Sequence, residues 1–162
     1  MPPSTASSAT ASAAIPSLYR ILLLYLEPFL TLGGVALVLF SPEHYTSDMS
    51  RGVLTTLEPS SKFIYSQLAG GWLHFAFTEA VVFRLVDDLR IWKLLCMGML
   101  LSDAVYCHSV AQAVGGWGVW SQVWEWSVQE WVAVAMTLPF VLVRCGIVLG
   151  VGLKHSNAEK AA

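Results

Sequence analysis

Long apolar runs broken by brief polar segments dominate the chain, and four of these runs match the thickness of a bilayer. They cover Ser17–Phe40, Ile64–Val86, Ile91–Val114 and Val128–Leu153. A helix rising about 1.5 Å per residue needs roughly 20 mainly apolar residues to cross about 30 Å of hydrocarbon. Each run therefore predicts one transmembrane helix. Four such helices in a water-soluble protein would need polar sequence to cover them, and 162 residues leave too little. The pattern predicts an all-α, integral membrane four-helix bundle over residues 16–155. Residues 1–15 are rich in Ser, Ala, Thr and Pro and hold no Lys or Arg. They lack the basic segment of a signal peptide and read as a disordered N-terminal tail, while residues 156–162 read as a short cytosolic tail.

The links between the runs decide how they pair. Ser41–Phe63 contains Pro42, Glu43, Asp48, Glu58 and Pro59, the turn and breaker chemistry of solvated chain. Only Asp87, Asp88, Leu89 and Arg90 separate the second and third runs, which makes those helices antiparallel neighbours in a tight hairpin. Arg20, Arg84, Arg90, Lys93, Lys154 and Lys160 fall at one surface, and Arg51 and Lys62 at the other. Because cationic flanks stay cytosolic, both termini and the hairpin are expected in the cytosol, with the endoplasmic reticulum as the membrane. Trp117, Trp120, Trp124, Trp126 and Trp131 lie together near the opposite surface and predict an aromatic belt.

Composition agrees with a bilayer as solvent: 56% of residues are hydrophobic and 12% charged, with a net charge of -2. No basic run is present to neutralise a phosphate backbone, so nucleic acid is not an expected partner. Cys96, Cys107 and Cys145 all lie in apolar runs without the Cys/His spacing of zinc sites, which predicts buried free thiols and no metal. GxGxxG, Walker, HExxH, GxSxG and CxxC motifs are absent from the sequence, and no cofactor is expected.

Candidate chemistry comes from polar residues inside the runs, where each ionisable group costs at least a few kcal/mol unless it faces a bundle interior or a cavity. Glu27 precedes Pro28, whose missing N–H frees a carbonyl one turn earlier, near Leu24. In the second run Gln67, Gly71, His74 and Thr78 follow steps of four, three and four, with Glu79 at that face's edge. His74 is either a packing residue or a proton carrier in company with Thr78 and Glu79. Arg84 precedes Asp87 and Asp88 by three and four residues, which predicts a helix-end ion pair. The third run places Asp103 near mid-helix, with Tyr106 one turn on, and Ser102 and Ser109 on the face of Tyr106. Glu125, Gln129 and Glu130 read as solvated interface residues. Arg144 sits deep in the fourth run, and Glu27, Glu79 and Asp103 are its candidate partners.

The segments Pro16–Pro28, with Ser17-Leu18-Tyr19-Arg20 and Tyr25-Leu26-Glu27-Pro28, Gln67–Arg84, and Asp87–Lys93 followed by Ser102-Asp103 together resemble a fungal family of small four-span membrane proteins of largely unknown function. Members of that family are similar to epoxide-opening hydrolases and cyclases of polyketide or terpenoid biosynthetic clusters. The resemblance implies a lipophilic small-molecule substrate within the membrane lipid, supplied by an epoxidising monooxygenase of the same pathway. The chemistry would need one protonated carboxyl group on the epoxide oxygen and a carboxylate or imidazole to activate water or an internal hydroxyl. On that expectation Glu27 or Glu79 is the acid, Asp103 or His74 the base, and Tyr106 a hydrogen-bond donor. The Arg84, Asp87 and Asp88 cluster is similar in residue types to the acid–arginine–acid arrangement of some soluble epoxide hydrolases. A non-catalytic lipid-binding or scaffolding protein, and a membrane isomerase, are the alternatives.

Overall fold

A computed structural model of the protein describes residues 9–154. Helix α1 is the short Ala11–Ala14, α2 runs over Ser17–Phe40, and α3 over Pro42–Met49. Helix α4 is continuous over residues 62–85, helix α5 covers Leu89–Ala113, α6 Trp117–Trp120 and α7 Val128–Leu149. Among the described residues there are no strands. The long helices α2, α4, α5 and α7 form the expected all-α bundle. Three of them, α2, α5 and α7, are long and apolar enough to cross a membrane, so the chain is an integral membrane protein. The fourth, α4, has the length but a more polar composition, carrying Gln67, His74, Glu79 and Arg84. Large apolar side chains such as Leu18, Phe29, Leu94, Leu101, Val105 and Leu142 point outward, as expected where lipid replaces water.

Two apolar clusters hold the helices together. In one, Val35 and Val38 of α2 pack against Ala69 and Trp72 of α4. In the other, Leu23, Leu24, Phe83, Trp92, Cys96, Val143 and Ile147 meet, with the Phe83 and Trp92 rings stacked at 4.2 Å. Cys96 is buried, Cys107 and Cys145 half-buried, and all three are free thiols.

Several boundaries differ from the sequence pattern for local reasons. Helix α5 begins at Leu89 because the Asp88 carboxylate accepts from Arg90 N–H and Ile91 N–H and caps it there. Helix α7 stops at Leu149 rather than Leu153, since Gly150 takes a left-handed conformation, φ 79°, that ends the helix. The segment between α2 and α4 is not merely solvated loop: α3 buries Pro42 and Thr46, and the Thr46 hydroxyl is 2.9 Å from that of Tyr65.

The clearest difference lies at the N-terminus. Residues 1–8 of the expected N-terminal tail, residue 155 and the expected C-terminal tail 156–162 lie outside the described residues. Residues 11–15, however, are packed: Ala11 and Ile15 are each 1% exposed. The small side chains that make this stretch look like a tail also let it lie flat against the hairpin. Ser12 donates its N–H and its hydroxyl to the Asp87 carboxylate, both at 2.7 Å, Leu89 N–H donates to Ala9 O, and Lys154 N–H to Ala14 O. The N-terminal segment, the hairpin and the C-terminal end of α7 thus share one end of the bundle.

The Ser12 amide, seconded by its hydroxyl, holds the Asp87 carboxyl below its ordinary value of 3.8. A depressed acid stabilises the fold above its unfolded value, and that contribution is lost as pH falls through the folded value. Acidification below about 3.8 is therefore expected to release this strap. Asp87→Asn is expected to release it at neutral pH, raising exchange of the Ser12 amide by about an order of magnitude, measurable by hydrogen–deuterium exchange. Unchanged exchange would show that apolar packing of Ala11 and Ile15 alone holds the segment.

Candidate functional site

Helices α2 and α4 each contain a π turn, and these two turns aim the site. In α2 the turn covers Leu22–Leu26 and closes when Glu27 N–H donates to Leu22 O. In α4 it covers Thr78–Val82, closed by Phe83 N–H to Thr78 O. A π turn fits one more residue per hydrogen-bonded loop than an α turn and rotates the residues beside it. Glu27 and Glu79 sit next to or within these turns and are directed inward, where Glu79 is 0% exposed and Glu27 8%.

Pro28 has no N–H to give Leu24, as the sequence suggested. The carbonyl it frees is taken by Arg84, whose Nη2 donates to Leu24 O at 2.7 Å. The same guanidinium lies 4.5 Å over the Tyr25 ring. Arg84 therefore ties α4 to α2 instead of forming the expected pair with Asp87 or Asp88. Asp87 serves Ser12 and Asp88 caps α5, so the supposed acid–arginine–acid cluster is three separate structural devices.

At the centre is Arg144 of α7, 1% exposed. Its Nη2 donates to Glu27 Oε1 at 2.5 Å and to Glu79 Oε1 at 2.7 Å, and its Nη1 donates to Asp103 Oδ2 at 2.7 Å. One guanidinium therefore joins carboxyl groups from α2, α4 and α5, all three of the candidate partners. The planar fork explains why an arginine stands here: its donors diverge toward several acceptors at once. The Phe75 ring covers it at 5.7 Å. Three buried atoms of the cluster, Glu27 Oε2, Glu79 Oε2 and Arg144 Nε, have no hydrogen-bond partner among the described residues.

A cleft of about 100 Å³ opens between α5 and α7 on the side away from the hairpin. Tyr106 and Cys107 line it from α5, and Thr137 and Val141 from α7, with Met49 and Trp120 above. Its length from Glu130 to Val141 is roughly 16 Å at the helical rise. The Asp103–Arg144 pair lies one turn beyond Tyr106 and Val141 along α5 and α7, and neither it nor Glu27 or Glu79 lines the cleft itself. A second cavity, lined by Tyr45, Ser50, Tyr65 and Ser109, shares Met49 and Val110 with the first.

Glu27, Glu79 and Asp103 thus come together, while the other two sequence candidates do not join them. Tyr106 lines the cleft, with its hydroxyl 3.8 Å from Met49 Sδ. His74 is exposed on the outer face of α4, as are Gln67 and Gly71. The polar face read from steps of four and three points outward up to the π turn, because Ala69 and Ala76 occupy the inner side where α2 packs closely. Ser102 and Ser109 are exposed as well.

One ion pair escaped the sequence reading. Glu130, expected at a solvated interface, is 3% exposed and accepts from Arg51 Nε at 3.0 Å. It also completes a capping box with Ser127: Ser127 N–H donates to Glu130 Oε2 at 2.8 Å, and Glu130 N–H to Ser127 Oγ at 3.2 Å. The signal was the Ser-x-x-Glu spacing at the start of α7. Arg51 holds φ 53° to make this contact, an uncommon conformation for a side chain with a Cβ. Glu130 lines the outer end of the cleft. Beside it the indoles form a chain, with ring centroids 5.4 Å apart for Trp117–Trp120, 5.2 Å for Trp120–Trp126 and 4.9 Å for Trp126–Trp131. Glu125 and Gln129 stay exposed.

A family model described as a domain of unknown function, DUF7704, matches residues 12–154. No curated protein and no solved structure matches the chain.

Proposed function

The chain belongs to the DUF7704 family, and from that premise we propose that it is a membrane-embedded acid–base enzyme that opens or cyclises an epoxide on a lipophilic polyketide or terpenoid of fungal secondary metabolism. The observation that carries this reading is the convergence of Glu27, Glu79 and Asp103 on Arg144, one helical turn beyond an apolar cleft lined by Tyr106 and Val141. With all three carboxyls ionised the cluster would carry two surplus negative charges out of water. Like charges in one site do not all ionise, so the group is suited to hold a proton and to give it up.

In this reading Glu27 or Glu79 donates its proton to the epoxide oxygen as the carbon–oxygen bond breaks. Asp103, the member closest to the cleft, takes a proton from the water or internal hydroxyl that attacks the carbon, and Tyr106 donates a hydrogen bond to the substrate. An epoxidising monooxygenase of the same pathway would supply the substrate. The cationic end of the bundle, with both termini and the hairpin, faces the cytosol in this proposal, and the membrane is that of the endoplasmic reticulum.

A second reading, a non-catalytic lipid-binding or scaffolding protein, is favoured by the fact that Arg144 already satisfies one oxygen of each carboxyl group. Expression in a fungal host supplied with an epoxidised polyketide, with products followed by mass spectrometry, separates the two. Glu27→Gln, Glu79→Gln and Asp103→Asn each keep a carbonyl oxygen for Arg144 but cannot exchange the proton. Loss of a water-addition or mass-neutral cyclisation product by roughly 100-fold or more in at least one of them, with protein level maintained, is the expected result. No product change with the unsubstituted, well-folded protein would leave the lipid-binding reading in its place.

A further inference from the structure

Between Lys62 and Phe77, before the π turn, α4 presents outward a row that the rest of the bundle leaves uncovered. Phe63, Gln67, Gly70, His74 and Phe77 follow steps of four, three, four and three, and all five are exposed. That is the 3.5-residue spacing of a coiled-coil seam. The row is roughly 21 Å long at the helical rise, most of the way across the hydrocarbon. The side chains of Gln67 and His74 make no hydrogen bond among the described residues. A carboxamide or imidazole left facing acyl chains is costly, and such groups in membranes find partners on neighbouring helices. At the centre of the row, nothing lies within 4 Å of a Cβ built on Gly70, so the backbone there is open to close approach by another helix.

We propose that this row is the seam of a parallel homodimer whose two-fold axis runs along the membrane normal. Such an axis brings each residue against its own copy at the same depth. The chemistry of the row suits that rule. An amide carries both donor and acceptor, and so does a neutral imidazole, so Gln67 pairs with Gln67 of the second copy and His74 with its counterpart. The glycines meet where the helices come closest, and the two phenylalanines pack at either end. No Lys, Arg, Asp or Glu stands in the seam to oppose its like. A single polar residue at a seam position also fixes register and favours one partner number. Covering by a second copy accounts for α4 being the one long helix that falls short of the apolarity of a lipid-exposed span.

The test uses the full chain in native membranes, with cysteine placed in the seam, Gln67→Cys or Phe77→Cys, or beside it on the exposed positions Ile64→Cys or Leu73→Cys. The unsubstituted chain, with its own thiols, gives the baseline. Mild oxidation is expected to yield disulfide-linked dimers from the seam variants at least about tenfold more readily than from the off-seam pair. Gly70→Leu, whose Cβ meets nothing within 4 Å in the protomer, is expected to lower the dimer fraction by about tenfold while the helical circular dichroism holds. Equal cross-linking on and off the seam, a protein that stays monomeric in lipid, or a dimer indifferent to Gly70→Leu would each overturn the proposal.

Discussion

Arg144→Met is expected to destabilise the bundle by roughly 3–5 kcal/mol, the range found when one partner of a buried ionic group is removed. Methionine fills a similar volume and suits the apolar surroundings, so the loss reports charge and hydrogen bonding rather than a cavity. It leaves Glu27, Glu79 and Asp103 facing one another without the donor that all three share. Arg144→Lys is expected to recover only part of the loss, because one ammonium cannot present the divergent fork. Equilibrium unfolding in mixed micelles measures both. Adding Glu27→Gln and Glu79→Gln to Arg144→Met is expected to return much of the stability, since the stranded charges go with the substitutions. A loss below about 1 kcal/mol for Arg144→Met would show that the carboxyl groups satisfy one another and that packing alone holds α7.

Gly34→Leu should be the next most damaging change, at about 1–3 kcal/mol for overpacking. A Cβ at Gly34 already comes within 3.0 Å of Trp72 Cζ3 and 3.2 Å of Cε3. The indole has little room to withdraw, for the Tyr45 ring stands edge-on to it at 5.8 Å. Without a hydrophobic driving force between helices in lipid, close approach over small residues is a main source of association. Leucine at this position would push α2 and α4 apart along the surface where Val35, Val38 and Ala69 meet. Its neighbour gives the control: a Cβ at Gly33 meets nothing within 4 Å, so Gly33→Leu is expected to leave the unfolding midpoint unchanged. Equal effects at the two positions would mean that the cost is helix propensity or insertion, not contact with Trp72.

Hydropathy marks α2, α5 and α7 well because it measures the one property a bilayer selects, while α4 falls short of that apolarity, and the tight hairpin follows from the four residues available to make it. The Arg144 cluster was legible for a related reason. A guanidinium and three carboxyls in apolar runs each need a partner, and Pro28 announced the free carbonyl of Leu24 that Arg84 occupies. Rotation about the helix axis was less accessible. His74 and Thr78 share a face of an ideal helix with Glu79 at its edge, but the structure leaves His74 outside and buries Thr78 and Glu79. Nothing in the local sequence announces the π turn over Thr78–Val82. The N-terminal segment escaped notice because Ala11, Ser12 and Ala14 have no hydrophobic period to reveal that they pack. Glu130 escaped because its partner Arg51 lies 79 residues away, though the capping box could have been found at once.

The order in which the charges appear along the chain shapes how the protein is made. Glu27, Glu79 and Asp103 belong to the first three long helices, and their shared counter-charge, Arg144, comes only with the last. Until α7 leaves the insertion machinery, the earlier helices hold three acids with no cation to receive them inside the hydrocarbon. The nascent bundle is thus an incomplete ionic structure, dependent on its final segment: a chain ending before Arg144 would keep Glu27, Glu79 and Asp103 in the hydrocarbon without the cation that all three share.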